Sequence, residues 1–313
     1  MRIVWPRSTI VATALALMLD RQIGDPPSSF HPVAYFGQLA NWTERLLYKD
    51  SYFAGAVSAM VLVGFPLGLS ITSSPYPVAA SVLVQYFCIS DRQLRDVVCE
   101  VVRSVELGDL KRARITVGKI VGRSTRDMSE SEVLRAAFES LAENSSDGAV
   151  APIFYGTLLG DAGAVIYRCV NTLDSMFGHR NKKYERFGYV SARFDDLVNL
   201  IPSRLTWLCV YLLSSRSTRR RIRKATAQAR AHPSPNAGVV EAGFAGRFDV
   251  EVGGVNIYDG VAEERVRFGG DKTVTTEDLK QAIIFERRVV DLAFVLSSVV
   301  ALTLRTLVKR RWL

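Results

Sequence analysis

The residues best able to do chemistry are concentrated between positions 139 and 206. The acids there are Glu139, Glu143, Asp147, Asp161, Asp174, Glu185, Asp195 and Asp196. The bases are Arg168, Arg180, Lys182, Lys183, Arg186, Arg193 and Arg204, so eight acids are interleaved with seven bases. Asn144, Asn171, Asn181 and Asn199 stand among them, with Gly148, Gly160, Gly178 and Gly188 at turn-like points. Carboxylates and amides beside apolar walls can hold a metal–phosphate group and exclude water. On a helix Asn171 and Asp174 share a face, as do Asp195 and Asn199, and Arg193 pairs with Asp196. Such carboxylate–amide faces suit magnesium with bound water and nucleotide phosphates, with Asp147, Asp174 and Asp196 as the metal candidates. Arg180, Lys182, Lys183 and Arg193 can neutralise phosphate or carboxylate oxygens. Ion pairs tying helices together would use the same residues at the same spacing.

Two proline-stiffened segments add further polar groups. In DRQIGDPPSSFHPV, Pro26, Pro27 and Pro32 prevent regular helix and hold Asp20, Asp25 and His31 on a stiff loop. In HPSPNAGVVEAGFAGRF, Pro233 and Pro235 space His232, Ser234 and Asn236, giving a second rigid polar loop.

These groups are set in an apolar chain. The hydrophobic share is 48% against 23% charged residues, the mean hydropathy is +0.12 and the net charge is +9. Long apolar runs alternate with basic blocks, which points to basic flanks of membrane helices rather than to nucleic-acid binding. Residues 216 to 230 carry seven Lys and Arg, read as a basic anchor to anionic lipid. Cys88, Cys99, Cys169 and Cys209 are scattered, so neither a disulfide framework nor a zinc site is indicated.

Arg2 and Arg7 precede an apolar run, Ile10 to Leu19, that ends at Asp20 and reads as a short uncleaved helix. Residues 53 to 72 contain no charge and form the clearest transmembrane candidate, kinked at Pro66. The SSPYP loop then turns the chain back through 78 to 90. From 91 to 143 the pattern is that of amphipathic soluble helices, with a capping box at Ser129 and Glu132. The arginines of this block put it on the cytoplasmic side, with Arg123 and Arg126 on a GRSTR turn that could meet phosphate. Apolar segments at 148–170 and 200–213 bracket the polar stretch. Asp161 and Arg204 spoil them as lipid-exposed spans and imply broken, re-entrant or protein-covered helices. Val250, Val252 and Val255 with Gly253-Gly254 indicate a small hairpin, and Thr275 or Thr276 caps a last helix ending in KRRWL. No phosphate-binding loop, dinucleotide fingerprint or nucleophile elbow occurs. The expected fold is mainly α: a single polytopic membrane domain over 1–313, with a cytoplasmic helical insertion at 91–143. Polar site-forming loops are expected at 171–199 and 231–260.

Several motifs recur in a recognisable order. They are D-R-Q-I-G-D-P-P and H-P-V near the N-terminus, then E-N-S-S-D-G (143–148), A-P-I-F-Y (151–155), N-T-L-D-S-M (171–176), A-R-F-D-D-L (192–197) and I-P-S-R-L-T (201–206). H-P-S-P-N-A-G (232–238) completes the set. Together they resemble the CobD/CbiB family of cobalamin biosynthesis, the adenosylcobinamide-phosphate synthases, from about residue 19 to 260. Ser124 replaces an acidic residue of the family's G-R-D-T, and His179 stands where Tyr is usual. The resemblance implies an integral membrane enzyme at the cytoplasmic face that uses ATP and magnesium. It would join adenosylcobyric acid to aminopropanol or its phosphate, with the bilayer and other membrane enzymes of late cobalamin assembly as partners and no nucleic acid. On that reading Asp174, Asp195, Asp196 and His232 are the catalytic candidates. Asp25, His31, Glu143, Asn144, Asp147, Asn171, Arg180, Lys182, Arg193, Ser234 and Asn236 are the substrate- or nucleotide-binding candidates. Two other classes fit parts of the pattern. D-D-L-V-N resembles half of a magnesium–diphosphate motif of membrane transferases, and a membrane scaffold or transporter component would share the apolar runs.

Overall fold

The structure is a computed structural model that describes residues 8–72, 78–178, 182–258 and 261–311. In chain order the first helices are α1 (Ser8–Ile23), α2 (Pro32–Leu47), α3 (Tyr52–Thr72), α4 (Val78–Tyr86), α5 (Asp91–Glu106), α6 (Leu110–Val117) and α7 (Glu130–Asn144). A single π-helical turn, Ser145–Val150, leads into α8 (Ala151–Leu159), followed by α9 (Asp161–Phe177) and α10 (Tyr189–Val198). Then come α11 (Leu200–Leu212), α12 (Arg216–Gln228), α13 (Ala237–Phe248), strands β1 (Glu251–Tyr258) and β2 (Val261–Gly269), and α14 (Thr276–Arg311). The mainly helical expectation and the small hairpin are both observed. Arg2, Arg7, the SSPYP loop, His179, Arg180 and Asn181 lie outside the described residues.

The helices divide into two compact units. The first comprises residues Met1–Asp91, Ala151–Asn199 and Phe294–Leu313. Within it α1 packs on α4 and α8, while α9 receives α2, α3 and α10. A core of Ala40, Ala54, Ala59, Leu62, Leu173, Phe177 and Phe187 sits where α2, α3 and α9 meet the turn before α10. Gly55 is required there, since a Cβ would lie 1.9 Å from the Phe187 carbonyl oxygen. The run expected to stop at Asp20 instead continues as helix to Ile23. Asp20 is buried, and Arg21 pairs with buried Asp91 at 2.8 Å, so both charges are accommodated inside the unit. The apolar segment 148–170 is broken, as anticipated. Gly160 (φ 72, ψ −154) separates α8 from α9, a conformation that other residues rarely adopt. Asp161 then accepts hydrogen bonds from Ser81 and Gln85, both at 2.8 Å.

The second unit comprises Arg92–Val150 and Leu200–Ala293. Its helical block 91–143 forms as expected. The Ser129–Glu132 capping box opens α7, and Thr275 caps α14 by exchanging bonds with Asp278. The aromatic core stacks edge to face: Phe138 on Phe244 and Phe248, and both of these on Phe285. HPSPNAGVVEAGFAGRF is a loop only to Asn236. The rest is α13, a buried helix that the glycine-rich sequence disguised, because its glycines serve close packing rather than turns. Likewise 171–199, expected as loops, is the C-terminal half of α9, a turn, and α10.

Among the described residues one helix, Thr276–Val308, is long and apolar enough to cross a membrane. Tyr52–Gly64 and Leu200–Leu212 are apolar but shorter.

The glycines give a packing test. A Cβ on Gly246 would lie 2.5 Å from the Ile222 Cα, a backbone atom that cannot step aside, whereas Gly64 faces open space. Gly246→Ala is expected to lose about 1–3 kcal/mol through overpacking, and Gly64→Ala to keep or raise stability because Ala is the better helix former. Thermal unfolding of the two purified variants beside the parent checks the contrast, and equal midpoints would overturn it.

Candidate active site

In the first unit the polar centre is a chain of amides around one carboxylate. Asp195 on α10 accepts from the Asn171 amide at 3.3 Å and from the Asn199 amide at 2.9 Å. Asn199 in turn accepts from the Tyr167 hydroxyl at 2.8 Å. The spacing rule is what assembles this set: Tyr167 and Asn171 are one turn apart on α9, and Asp195 and Asn199 one turn apart across the α10 C-terminus. Asp195 is 8% exposed. Burial pushes its carboxyl up to about 6, the two amide bonds oppose that rise, and neighbouring Asp196 adds to it. Asp196 is less sheltered and pairs with Arg193 at 3.4 Å, whose guanidinium also covers the Tyr189 ring. Asp174 folds its carboxylate over Gly178, where a Cβ would lie 1.9 Å from Oδ1. Lys182 is exposed.

Asp25 and His31 do come together, on the proline-stiffened loop, 3.9 Å apart. Their other atoms are committed to structure. His31 Nδ1 caps α2 by accepting from the Val33 N–H at 3.2 Å, and Asp25 accepts from Ser90 at 3.0 Å. Glu44, which sequence reasoning passed over, holds the turn before α10 by accepting from Tyr184 at 3.0 Å and from Lys183 at 2.7 Å.

The second unit holds a different constellation. Glu139 on α7 accepts from Arg123 at 2.7 Å and from the Gly253 N–H at 2.8 Å. The latter bond exists because β1 bulges between Val252 and Gly254, with positive φ at Gly253 and Gly254, which turns an N–H away from the ladder. His232 faces Glu241 of α13, Nε2 to Oε2, at 3.9 Å, and both side chains are more than nine-tenths buried. The imidazole is fixed by the Ser234 N–H on Nδ1 at 3.2 Å and by edge contact with Phe268. Gly238 leaves it room, since a Cβ there would lie 2.6 Å from the His232 Cβ. Burial lowers the His232 pKa, and burial followed by Glu139 and Glu143 raises that of Glu241 well above the usual carboxylate range. Glu143 and Asn144 end α7, Asp147 lies in the π-helical turn, and Asn144 donates back to the Ser140 carbonyl at 2.9 Å. Single π turns inserted in α-helices are frequent at functional sites. Ser234 uses its hydroxyl to receive the Asn236 and Ala237 N–H groups, and Asn236 accepts from Ser203 at 3.1 Å and from Arg204.

The expected site residues thus form two sets, one in each unit: Asp25, His31, Asn171, Asp174, Lys182, Arg193, Asp195 and Asp196 in the first, Glu143, Asn144, Asp147, His232, Ser234 and Asn236 in the second. Sequence reasoning did not select Glu139 or Glu241 as site residues, nor Arg265, whose charge acts on both His232 and Glu241. Glu241 carried a signal: it is the one acid in an otherwise apolar AGVVEAGFAG run. Among the described residues no three His, Cys, Asp or Glu side chains form a metal-holding group. A magnesium ion bound through one or two carboxylates and substrate phosphates needs no such group.

A largely helical protein with sheltered carboxylates, amides and an imidazole is the class that this geometry defines. The chain belongs to the CobD/CbiB family, whose model, described as CobD/Cbib protein, matches residues 13–285. A cobalamin biosynthesis protein CobD of Halalkalibacterium halodurans is 34% identical over 90% of this chain and 93% of its own length. Proteins of the same name from Chromobacterium violaceum and Mycobacterium bovis are 38% and 35% identical, over 86% and 91% of this chain and 89% and 93% of their own lengths. No solved structure matches the chain.

The raised Asp195 pKa has a stability consequence whose sign is fixed. An acid that binds its proton more tightly when folded stabilises the fold in its protonated form, so its contribution grows as pH falls from above 6 towards 4. The parent is therefore expected to gain on the order of 2–3 kcal/mol from this group over that interval relative to Asp195→Asn. Unfolding midpoints measured from pH 4.5 to 7.5 check it. Parallel curves for parent and variant would remove the shift.

Proposed function

We propose that this chain is an ATP-dependent amide-forming enzyme of cobalamin biosynthesis that joins a carboxylate of adenosylcobyric acid to aminopropanol or its phosphate. The product would be adenosylcobinamide or its phosphate. The observation that carries the reading is family membership across residues 13–285, with relatives named for cobalamin biosynthesis.

The chemistry explains the kinds of residue present. A carboxylate oxygen is a poor leaving group at neutral pH, so it is activated first, as an acyl phosphate made from ATP. Arg193 and Lys182 would supply positive charge for the phosphates, and magnesium, when bound with ATP, would supply further charge neutralisation for phosphoryl transfer. Asp174 and Asp196, both in the first unit, are the carboxylates proposed to hold that ion. Asp195, oriented by Asn171 and Asn199, offers a sheltered anion near neutral pH. The amine, protonated at pH 7, must lose a proton before it attacks, a task for a carboxylate or for His232. The proposal includes a multi-pass membrane location, with the chemistry on the cytoplasmic side as the family resemblance implies. This rests on the charge-free α3, the apolar α14, and the polar partners given to Asp161 and Arg204 inside otherwise apolar segments.

The direct test incubates purified full-length protein in detergent with adenosylcobyric acid, ATP, magnesium and either amine, and follows ATP-dependent amide product by mass spectrometry. No product with either amine would sink the reading. Asp195→Asn and Asp196→Asn are each expected to fold and to lose about a hundredfold in rate, as removal of a strong electrostatic contact does. His232→Ala is expected to cost more than His31→Ala, because the imidazole of His31 is used as a helix cap. Undiminished rates in all four variants would remove these groups from the mechanism. The protein is also expected to sediment with membranes until detergent is added; full recovery in the detergent-free supernatant would overturn the placement.

A further inference from the structure

Of the seven Lys and Arg between 216 and 230, two are committed to holding the second unit together. Arg219 donates to the Tyr211 and Leu212 carbonyls, both at 2.9 Å, and its guanidinium covers the Tyr211 ring. It thereby closes the C-terminal end of α11, whose last carbonyls have no partner in their own helix. Arg221 lies 3.6 Å from Asp249. The other five are placed differently. Thr218, Ile222 and Ala225 form the buried face of α12, and Arg216, Arg220 and Arg223 repeat the same i, i+4, i+7 spacing on the opposite, exposed face. Lys224 stands beside them and Arg230 follows in the next turn, both exposed. The helix contains no acid, and among the described residues none of the five enters an ion pair. Like charges one turn apart destabilise a helix, so a face held to one sign over its whole length calls for counter-charge from outside the chain.

The neighbouring helix points to the source of that charge. With 13 residues α11 is about 20 Å long, short of the roughly 30 Å hydrocarbon layer of a bilayer. It nevertheless exposes Ile201, Leu208 and Leu212 along one side. Trp207 and Tyr211 stack on each other in its C-terminal half, and Trp207 Nε1 donates to the Thr226 hydroxyl of α12 at 2.9 Å. Apolar residues, then an aromatic pair, then a row of cations is the order of acyl chains, interface and phosphates in one leaflet. A nucleic acid would satisfy the cations and leave the apolar side in water. We propose that the outer face of α12 binds the phosphates of anionic phospholipids while α11 enters the acyl layer beside it. Arg219 and Arg221 hold the hairpin in shape, and Arg216, Arg220, Arg223 and Lys224 supply the charge. The ligase chemistry plays no part in this; the lipid site rests only on the membrane location included in the function proposed above.

The test titrates the full-length protein in neutral detergent with mixed micelles carrying pyrene-labelled phosphatidylglycerol or pyrene-labelled phosphatidylcholine, and reads energy transfer from tryptophan to pyrene. The parent is expected to take phosphatidylglycerol at least tenfold more tightly, a preference that fades as added salt shortens the screening length. A cation near an anionic lipid surface contributes about fivefold. The quadruple variant R216Q/R220Q/R223Q/K224Q is therefore expected to lose the preference and to keep its phosphatidylcholine binding. Arg220→Gln and Arg223→Gln alone are each expected to weaken the preference about fivefold. Replacing Arg216, Arg220 and Arg223 by lysine keeps the charge and is expected to keep the preference. No preference in the parent, or an undiminished one in the quadruple variant, overturns the proposal. Unchanged preference in both single variants does so even where the quadruple variant fails to fold. Salt-sensitive binding of duplex DNA by a parent without lipid preference would hand the face to nucleic acid and overturn it too. A protein that sediments with membranes yet shows no preference would remove the lipid site and keep the membrane location. A preference shown by a protein that stays in the detergent-free supernatant would do the reverse.

Discussion

A charge moved from water into an apolar helical interior must find a partner or lose its charge, and the cost of doing neither is several kcal/mol. That constraint governs the surroundings of the buried acids in this protein. Glu286, fully buried, meets Arg95 at 3.2 Å, and Asp91, equally buried, meets Arg21. Asp161 takes neutral donors instead, Ser81 and Gln85, and Gln85 is itself held by Thr13 at 2.6 Å. Such pairs add little net stability against an apolar replacement of the same shape, but they fix which helix face meets which, since the wrong register strands a charge. Helix registry within each unit is therefore written in its polar pairs as much as in its apolar stripes.

Once register is set, close backbone approach decides the fine positions. Gly55 lets α3 lie against the Phe187 carbonyl, Gly246 lets α13 lie against α12, and Gly178 lets the Asp174 carboxylate fold over the backbone. The π-helical turn at Ser145–Val150 shifts the helical phase between α7 and α8. The bulge in β1 works the same way at smaller scale, since the N–H it releases is the second donor to Glu139. Each device trades regular hydrogen bonding for placement of one polar group.

Much of this was legible in the sequence. The helical block from 91 to 143, its capping box, the break near Gly160 and the hairpin at Gly253-Gly254 all follow from periodicity and turn chemistry acting over a few residues. The Asn171–Asp195–Asn199 set was half legible. The spacing predicts that each pair shares a helix face, but that α10 folds back on α9 depends on the turn between them, whose anchors Glu44 and Tyr184 are 140 residues apart. Helix α13 was missed because AGVVEAGFAG reads as glycine-rich loop. Its glycines mark contacts with Trp207 and Ile222, which are tertiary facts that no local window contains. Glu241 was lost with it. An acid alone in an apolar run deserves suspicion, yet its neighbours Glu139 and Arg265 come from α7 and β2, far away in sequence.

Asp195 and Glu241 show how one constraint yields two chemically distinct carboxyls. Both are more than nine-tenths buried, so desolvation raises both pKa values. Asp195 receives two amide N–H bonds, which favour the anion and hold it near the neutral range, ready to act as a charge. Glu241 receives none and has Glu139 and Glu143 as neighbours, so its pKa stands well above the usual carboxylate range although Arg265 and Arg123 oppose the rise. The difference between the two lies in the hydrogen-bond donors around them, and those are supplied by the turns of helix on which Asn171 and Asn199 happen to stand and by the absence of any such residue on α13.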